Sequence, residues 1–511
     1  MVYYSNRWTA ENGGSLLQQA SPQQPGGGPR RRTLVVALVA LVAVVVASLA
    51  LAGGFTSRSS DPPAGGAAPP VELTRRLQRA VTVEGIMAHL EALQAIADDN
   101  GGNRYSGSPG HEASVEYVAG VLTEAGYEVG YDTFDVTVYN ELSPAVLEQT
   151  APASAAFEPS KDFSAFSFAP SGSVTGRIFS VGTGGEATAS GGCDEQAFTG
   201  FPQGYVALVA AGPCTLTEQV LNAQSAGAAA VLMMFPEDLY DTSTGVLRPT
   251  LASADGEVPA LAVSAAVGER LDHTGAEVHI EIDATVEQRT TRNVIAEMPR
   301  DTDEVMMVGG HLDSVLNGPG INNNGSGVAS ILELAVQMAD VETREAVRFA
   351  FWSGEELGLL GSQHYVDNLE PEGRERISAY LNFDMVASPN FLRLVYGDQI
   401  GNVDDPAAIK NLFLDYFDRR GLATDLINLS GRSDHGPFER AGIPVGGLFT
   451  GAEMLKSERA AEDTGGQAGE PADPCYHLAC DDIDNINRDS LDQMSDAIAY
   501  SVATLATSSG I

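Results

Sequence analysis

Five short stretches in the C-terminal half carry residues that hydrolytic chemistry needs. Gly310-His311-Leu312-Asp313-Ser314 follows an apolar segment. A lone histidine beside an aspartate is usually structural, but at a strand end His-x-Asp lets the imidazole face a metal while the aspartate orients it. Gly318–Gly327, reading GPGINNNGSG, is a glycine- and asparagine-rich loop whose backbone can turn tightly before a helix starts. Ser353-Gly354-Glu355-Glu356-Leu357-Gly358 places two adjacent carboxylates just past the strand-like FAFW and at the expected opening of a helix. Adjacent residues point in different directions, which suits one metal ligand and one general base. Asn382-Phe383-Asp384-Met385 supplies another carboxylate at a strand end. In Cys475-Tyr476-His477-Leu478-Ala479-Cys480, a disulfide across the six residues would hold His477 and Tyr476 in a rigid loop. Any one of these is compatible with a structural role. Together His311, Glu356, Asp384 and His477 form the mixed nitrogen and oxygen set of hydrolytic zinc.

The elements that must position these residues alternate from Arg292 onward. Strands are expected at Asn293–Glu297, Val305–Gly309, Val347–Trp352, Ala379–Phe383, Leu392–Val395 and Val445–Phe449. Helices are expected at Gly327–Ala339, Leu357–Val366, Ala407–Arg420 and Asp489–Thr504. Such alternation predicts an α/β fold, a mixed and mostly parallel sheet with helices on both faces. Ligands then sit beyond strand ends, where these motifs fall. Upstream, Ile86, Leu90, Leu93 and Ile96 share one apolar helix face, a second helix spans about His111–Ala125, and a strand follows near Tyr127–Val138. Residues 139–286 are poor in charge and read as a separate β-rich unit. Its strands are expected at Gly176–Val181, Tyr205–Val209 and Ala229–Phe235, with a helix at Leu216–Ala226. No residue set inside it has catalytic spacing.

The chain as a whole sets the compartment. With 68 acidic against 29 basic residues among 511, the net charge of −39 excludes nucleic acid as a partner, since the phosphate backbone would be repelled. Cys193 with Cys214 and Cys475 with Cys480 are sequence-local pairs, suited to two disulfides in an oxidising compartment. One zinc held by all four thiolates would lack the usual C-x2-C spacing. Arg30, Arg31 and Arg32 precede an uncharged apolar run over residues 33–53, long enough to span a bilayer, with residues 1–32 as a disordered cytoplasmic tail and 54–71 as a linker. A cleaved signal peptide fits the same run, since Ala50-Leu51-Ala52 has small-x-small form. The protein would therefore be anchored by residues 33–53 or secreted.

The strings GGHLDS, FWSGEELGLLGS, YLNFDM, GRSDHGPF, GGLFTG and CYHLACD resemble the M28 family of zinc aminopeptidases, over residues 72–138 and 287–508. The intervening block resembles a protease-associated (PA) domain, with Cys193 and Cys214 as its disulfide. The resemblance implies a zinc exopeptidase fold acting on peptide or protein substrates outside the cytoplasm, with apolar N-terminal residues preferred. It implies two zinc ions, the first on His311 and Asp384, the second on Glu356 and His477. Glu355 would be the general base, Tyr476 the oxyanion donor, and Asp313 and Arg432 supporting or substrate-facing residues. The family bridges its two metals with an aspartate where this chain has Asn323, a neutral and poorer ligand, and neighbouring Asn322 and Asn324 do not replace it. That leaves a weakened two-metal site, a single-metal enzyme, or an inactive scaffold of receptor type. A glutamate-carboxypeptidase-like protein would carry a long helical region after the catalytic part, whereas this chain ends soon after His477. Asp492 and Asp496 match two ligands of the family's calcium site, but their N-terminal partner is missing near Ala80.

Overall fold

A computed structural model describes residues 70–159, 161–182, 191–235, 249–251, 256–273, 275–397, 407–428 and 431–507. The tail, the apolar run over 33–53 and most of the expected linker lie outside the described residues. Among the described residues no helix is long and apolar enough to cross a membrane. The first helix, Pro70–Ala80, begins just inside the expected linker, because the fixed φ of proline suits a first helical turn.

The peptidase half is built on strands β1 (Glu128–Ala151), β8 (Glu277–Glu297), β9 (Val305–His311), β10 (Ala346–Trp352), β11 (Ile377–Phe383), β12 (Leu394–Tyr396), β13 (Asp425–Ile427) and β14 (Val445–Phe449). The inserted half holds β2 (Ala155–Ala156), β3 (Phe163–Ala165), β4 (Gly172–Val181), β5 (Val206–Ala210), β6 (Ala230–Met234) and β7 (Ala260–Val263). In the peptidase sheet the order is β13-β12-β14-β11-β9-β10-β8-β1, and β14, β11, β9 and β10 run parallel at its centre. β9 lies between β10 and β11, so the chain leaves β9 to one side and crosses back to the other. That reversal opens a crevice at the carboxyl ends of β9 and β11.

Period-two alternation explains why helices cover both faces. Met306, Val308, Phe349, Phe351, Leu381 and Phe383 enter the larger core, under the helices Val83–Asp99, Pro109–Glu124, Gly327–Met338 and Arg488–Thr507. Val305, Met307, Ala350, Trp352 and Tyr380 point the other way, onto Val366 and Phe438 of the helices Leu360–Asp367 and His435–Arg440. β9 and β10 are almost wholly buried, which fixes the places where they end.

β1 does not stop near Val138 as the sequence suggested. It pairs antiparallel with β8 from Glu128↔Glu297 to Ala151↔Glu277, and the two strands form one ribbon running from the peptidase sheet into the inserted unit. The β-branched and aromatic run from Tyr131 to Tyr139 continues through register shifts near Ser143, where the extra residues are absorbed as irregularities. In the inserted unit β4, β5, β6 and β7 are parallel. The helix Leu216–Ser225 starts with a capping box between Thr215 and Glu218.

Candidate metal centre

The candidate ligands arrive from the carboxyl ends of adjacent parallel strands. His311 closes β9 and is 1% exposed. Its Nδ1 lies 3.0 Å from the carbonyl oxygen of Asp313. A carbonyl only accepts, so Nδ1 carries the proton and Nε2 is turned into the crevice. There Nε2 lies 3.3 Å from Asp384 Oδ1 and 4.0 Å from Glu355 Oε2. Asp384 follows β11, and its Oδ2 accepts from Ser433 Oγ at 2.8 Å, while the buried Oδ1 has no hydrogen-bond donor among the described residues. One ligand atom each from His311, Glu355 and Asp384 fall within 4.8 Å of one another. A buried carboxylate oxygen without a donor costs free energy, and a cation among these three groups would remove that cost. The donor set, one imidazole nitrogen and carboxylate oxygens, fits zinc.

Glu355 and Glu356 sit in a turn after β10 and do not open a helix as expected; the helix begins at Leu360. The turn uses Gly354 and Gly358 at positive φ, and Leu359 is left-handed at the helix boundary. Its backbone is held from below: Asp313 Oδ1 accepts from Glu355 N at 3.2 Å and Oδ2 from Glu356 N at 3.3 Å. Asp313 thus orients His311 through its carbonyl and the two glutamates through its carboxylate. Burial, reinforced by the charges of Glu356, Asp384 and Asp434, pushes the Glu355 carboxyl well above its ordinary range despite the opposing pull of His311. Burial opposes charge on His311 too, yet Glu355 and Asp384 outweigh it and raise the imidazole well above its usual value. The pocket favours positive charge at this point.

Asn323 stands between the two ligand sets. Its Oδ1 lies 3.2 Å from His311 Nε2, and its Nδ2 donates to Glu356 Oε1 at 2.7 Å. A carboxylate accepts and never donates, so Glu356 dictates which end of the amide faces it. Asn322 and Asn324 are engaged elsewhere. Asn322 Nδ2 donates to Asp473 and Ser388, while Asn324 Oδ1 accepts from the amides of Gly327 and Met385. Backbone amides of Asn322 and Asn323 both donate to Asp481, which fixes the loop.

The last pair comes from the loop after β14. Cys475 is bonded to Cys480, and Cys193 to Cys214, as two sequence-local disulfides. His477 Nε2 lies 3.1 Å from Glu356 Oε2, and the Tyr476 ring stacks on His477 at 3.8 Å. Burial, then the charges of Glu356 and Glu453, keep the Tyr476 phenol protonated far above its usual range. His477 has φ 61°, and Met385, next to Asp384, has φ 50°. Left-handed non-glycine residues are costly, and their gathering here marks a segment held in place by its surroundings. Arg432 is half-exposed and donates both Nη atoms to Glu453 Oε1 at 3.2 Å.

Sequence reasoning missed Arg104, which is fully buried. Its guanidinium donates to the carbonyls of Pro319 (2.9 Å), Gly320 (2.7 Å) and Leu312, joining the loops that carry Asn323 and His311. The only sequence signal was an arginine just past a Gly-Gly turn, which is weak. Ser433, inside GRSDHGPF, was also missed. At the other candidate ion site Asp492 is exposed, and Asp496 lies 3.7 Å from the Arg420 guanidinium, with Gln78 of the first helix bonded to its carbonyl.

Residues 293–502 match Peptidase family M28, and residues 171–271 match the PA domain. The chain is 41% identical over 447 residues to an aminopeptidase of Pseudomonas aeruginosa, covering 85% of this chain and 83% of that one. It is 37% identical to a probable lipoprotein aminopeptidase of Mycobacterium tuberculosis, covering 86% and 88%. Against a probable leucine aminopeptidase 2 of Aspergillus fumigatus the identity is 38%, covering 80% of each. The aminopeptidase from Aneurinibacillus sp. strain AM-1 superposes with a TM-score of 0.69 at 25% identity, over 86% of this chain and 97% of that one. The chain belongs to peptidase family M28 and is a peptidase with an inserted PA domain.

Proposed function

We propose that this peptidase is an aminopeptidase that releases N-terminal residues from peptides outside the cytoplasm. The observation that carries the reading is the convergence of His311, Glu355 and Asp384 beside an Asp384 oxygen that has no donor. His311 Nε2, Asp384 Oδ1 and the amide oxygen of Asn323 would hold one zinc ion tightly. When bound, zinc polarises a carbonyl and lowers the pKa of water. Glu355, with its raised carboxyl, takes the proton of the attacking water and returns it to the leaving amine. Tyr476, kept protonated, donates to the developing oxyanion. The carboxylates of Glu355 and Asp384 also give the substrate's α-ammonium its counter-charge.

The second ion is where this chain departs from the expectation of two. Glu356 and His477 are adjacent, but the Asn323 N–H₂ already points at Glu356, and an amide puts no negative charge between two dications. A second ion would therefore bind weakly. A preference for apolar N-terminal residues is supported by the relative named a probable leucine aminopeptidase 2; Met385, Leu392, Leu394, Tyr396 and Phe449, against which Tyr476 packs, form a buried core cluster beside the site. The two disulfides suit an oxidising compartment.

The test is hydrolysis of leucine p-nitroanilide by the full chain with zinc, beside its N-acetylated form. Turnover of the free amine alone, stopped by a chelator and restored by zinc, is expected. Equal turnover of the acetylated substrate would refute the aminopeptidase reading, and no turnover over a broad aminoacyl panel would favour a binding protein.

A further inference from the structure

Behind Asp384 runs a chain of buried polar side chains whose direction is forced from its far end. Trp352 Nε1 can only donate, and it donates to Tyr380 Oη at 2.7 Å. The phenol, having accepted that proton, passes its own to Asn382 Oδ1 at 2.7 Å. Asn382 must therefore present its oxygen to Tyr380 and its nitrogen to the other side, where Nδ2 donates to Ser433 Oγ at 2.9 Å and Tyr396 Oη at 3.0 Å. Ser433 in turn donates to Asp384 Oδ2 at 2.8 Å. Trp352, Tyr380 and Asn382 are fully buried and Ser433 is 2% exposed, so water does not compete with these bonds. Every dipole points its positive end toward the carboxylate, and the run ends on a group that only accepts. One Asp384 oxygen is thereby fixed, and the other, Oδ1, is left without a donor among the described residues, 3.3 Å from His311 Nε2.

We propose that Ser433 is a positioning residue for the metal centre, held by the donor chain Trp352–Tyr380–Asn382 so that Asp384 presents Oδ1 beside His311. The inference rests on the zinc reading above. The residues span β10, β11 and the loop before the helix His435–Arg440, so the chain ties three elements to one ligand atom. A plain structural role, satisfying polar groups at the end of a buried sheet, would move stability but not zinc affinity selectively.

Zinc affinity of the full chain, measured by competition with a chromophoric chelator, separates the two roles, with the melting temperature of the metal-free chain beside it. Ser433→Ala should weaken zinc by about 10–100-fold. Ser433→Thr, which keeps a hydroxyl, should recover most of the loss. Tyr380→Phe, remote from the ion, should also weaken zinc, yet have no further effect once Ser433 is alanine, because its influence passes through Ser433. Native-like zinc affinity in Ser433→Ala would overturn the inference. So would an unchanged affinity in Tyr380→Phe, which decides the matter alone should Ser433→Ala not fold. Equal losses from Tyr380→Phe in both backgrounds would overturn it too. A native chain that takes up no zinc would instead refute the reading under Proposed function, and this inference with it.

Discussion

At the scale of single residues, the site works by giving neighbouring carboxylates different surroundings. Asp384 is tied by Ser433 and faces His311, whereas Glu355 is buried among like charges and holds a proton more readily. Glu355→Gln should therefore lower kcat by about 10²–10⁴-fold and also raise KM, because half of the counter-charge to the α-ammonium is lost, as steady-state kinetics on leucine p-nitroanilide will show. A kcat within threefold of native would remove Glu355 from the base role. His311, Glu355, Glu356, Asp384 and His477 were all legible in the sequence, because each stands beside a strongly apolar strand or inside a cysteine-bounded loop. Arg104 and Ser433 were not. Their importance lies in partners more than two hundred and about fifty residues away respectively, and no local pattern reveals which distant carbonyl or carboxylate a side chain meets.

At the scale of elements, the period-two strands were legible because both sheet faces are buried, and β14 was placed to the residue. The turn at Glu355 was misread as the start of a helix. Its helical spacing of apolar residues continues upstream of Leu360, but two glycines at positive φ break the backbone first. The length of β1 was also missed, because its outer half pairs with β8 across an insertion of over one hundred residues. The final helix carries a testable charge. Burial and the neighbouring Asp492 raise the Asp496 carboxyl to about 6 despite Arg420, above an unfolded value of about 3.9. A raised carboxyl favours the folded state most at low pH, and that contribution is lost as pH climbs through about 6. Asp496→Asn should therefore show a smaller fall in melting temperature between pH 4 and pH 7 than the native chain. A parallel or steeper fall would contradict the assignment.

At the scale of the whole molecule, a net charge of −39 on 511 residues means that the folded chain repels itself. Raising sodium chloride from about 0.05 M to about 1 M shortens the Debye length to about 3 Å, and the melting temperature should rise. An unchanged or lower value would show that local ion pairs outweigh the long-range field. The insertion was legible from its loss of charge and the alanine- and glycine-rich run before β6. Its attachment was not: β8 pairs with both β10 and β4, so one strand belongs to both halves. That continuity was hidden because β8 alternates buried and exposed residues along most of its length, giving no composition break at the boundary.

The number of metal ions turns on Asn323, whose amide faces His311 with its oxygen and Glu356 with its nitrogen. The most direct test is a zinc titration of the full chain followed by calorimetry, beside Asn323→Asp. One tight ion is expected in the native chain, with any second ion at least about tenfold weaker, and two tight ions in the variant. Two equally tight ions in the native chain, or an unchanged isotherm in Asn323→Asp, would contradict this reading of Asn323.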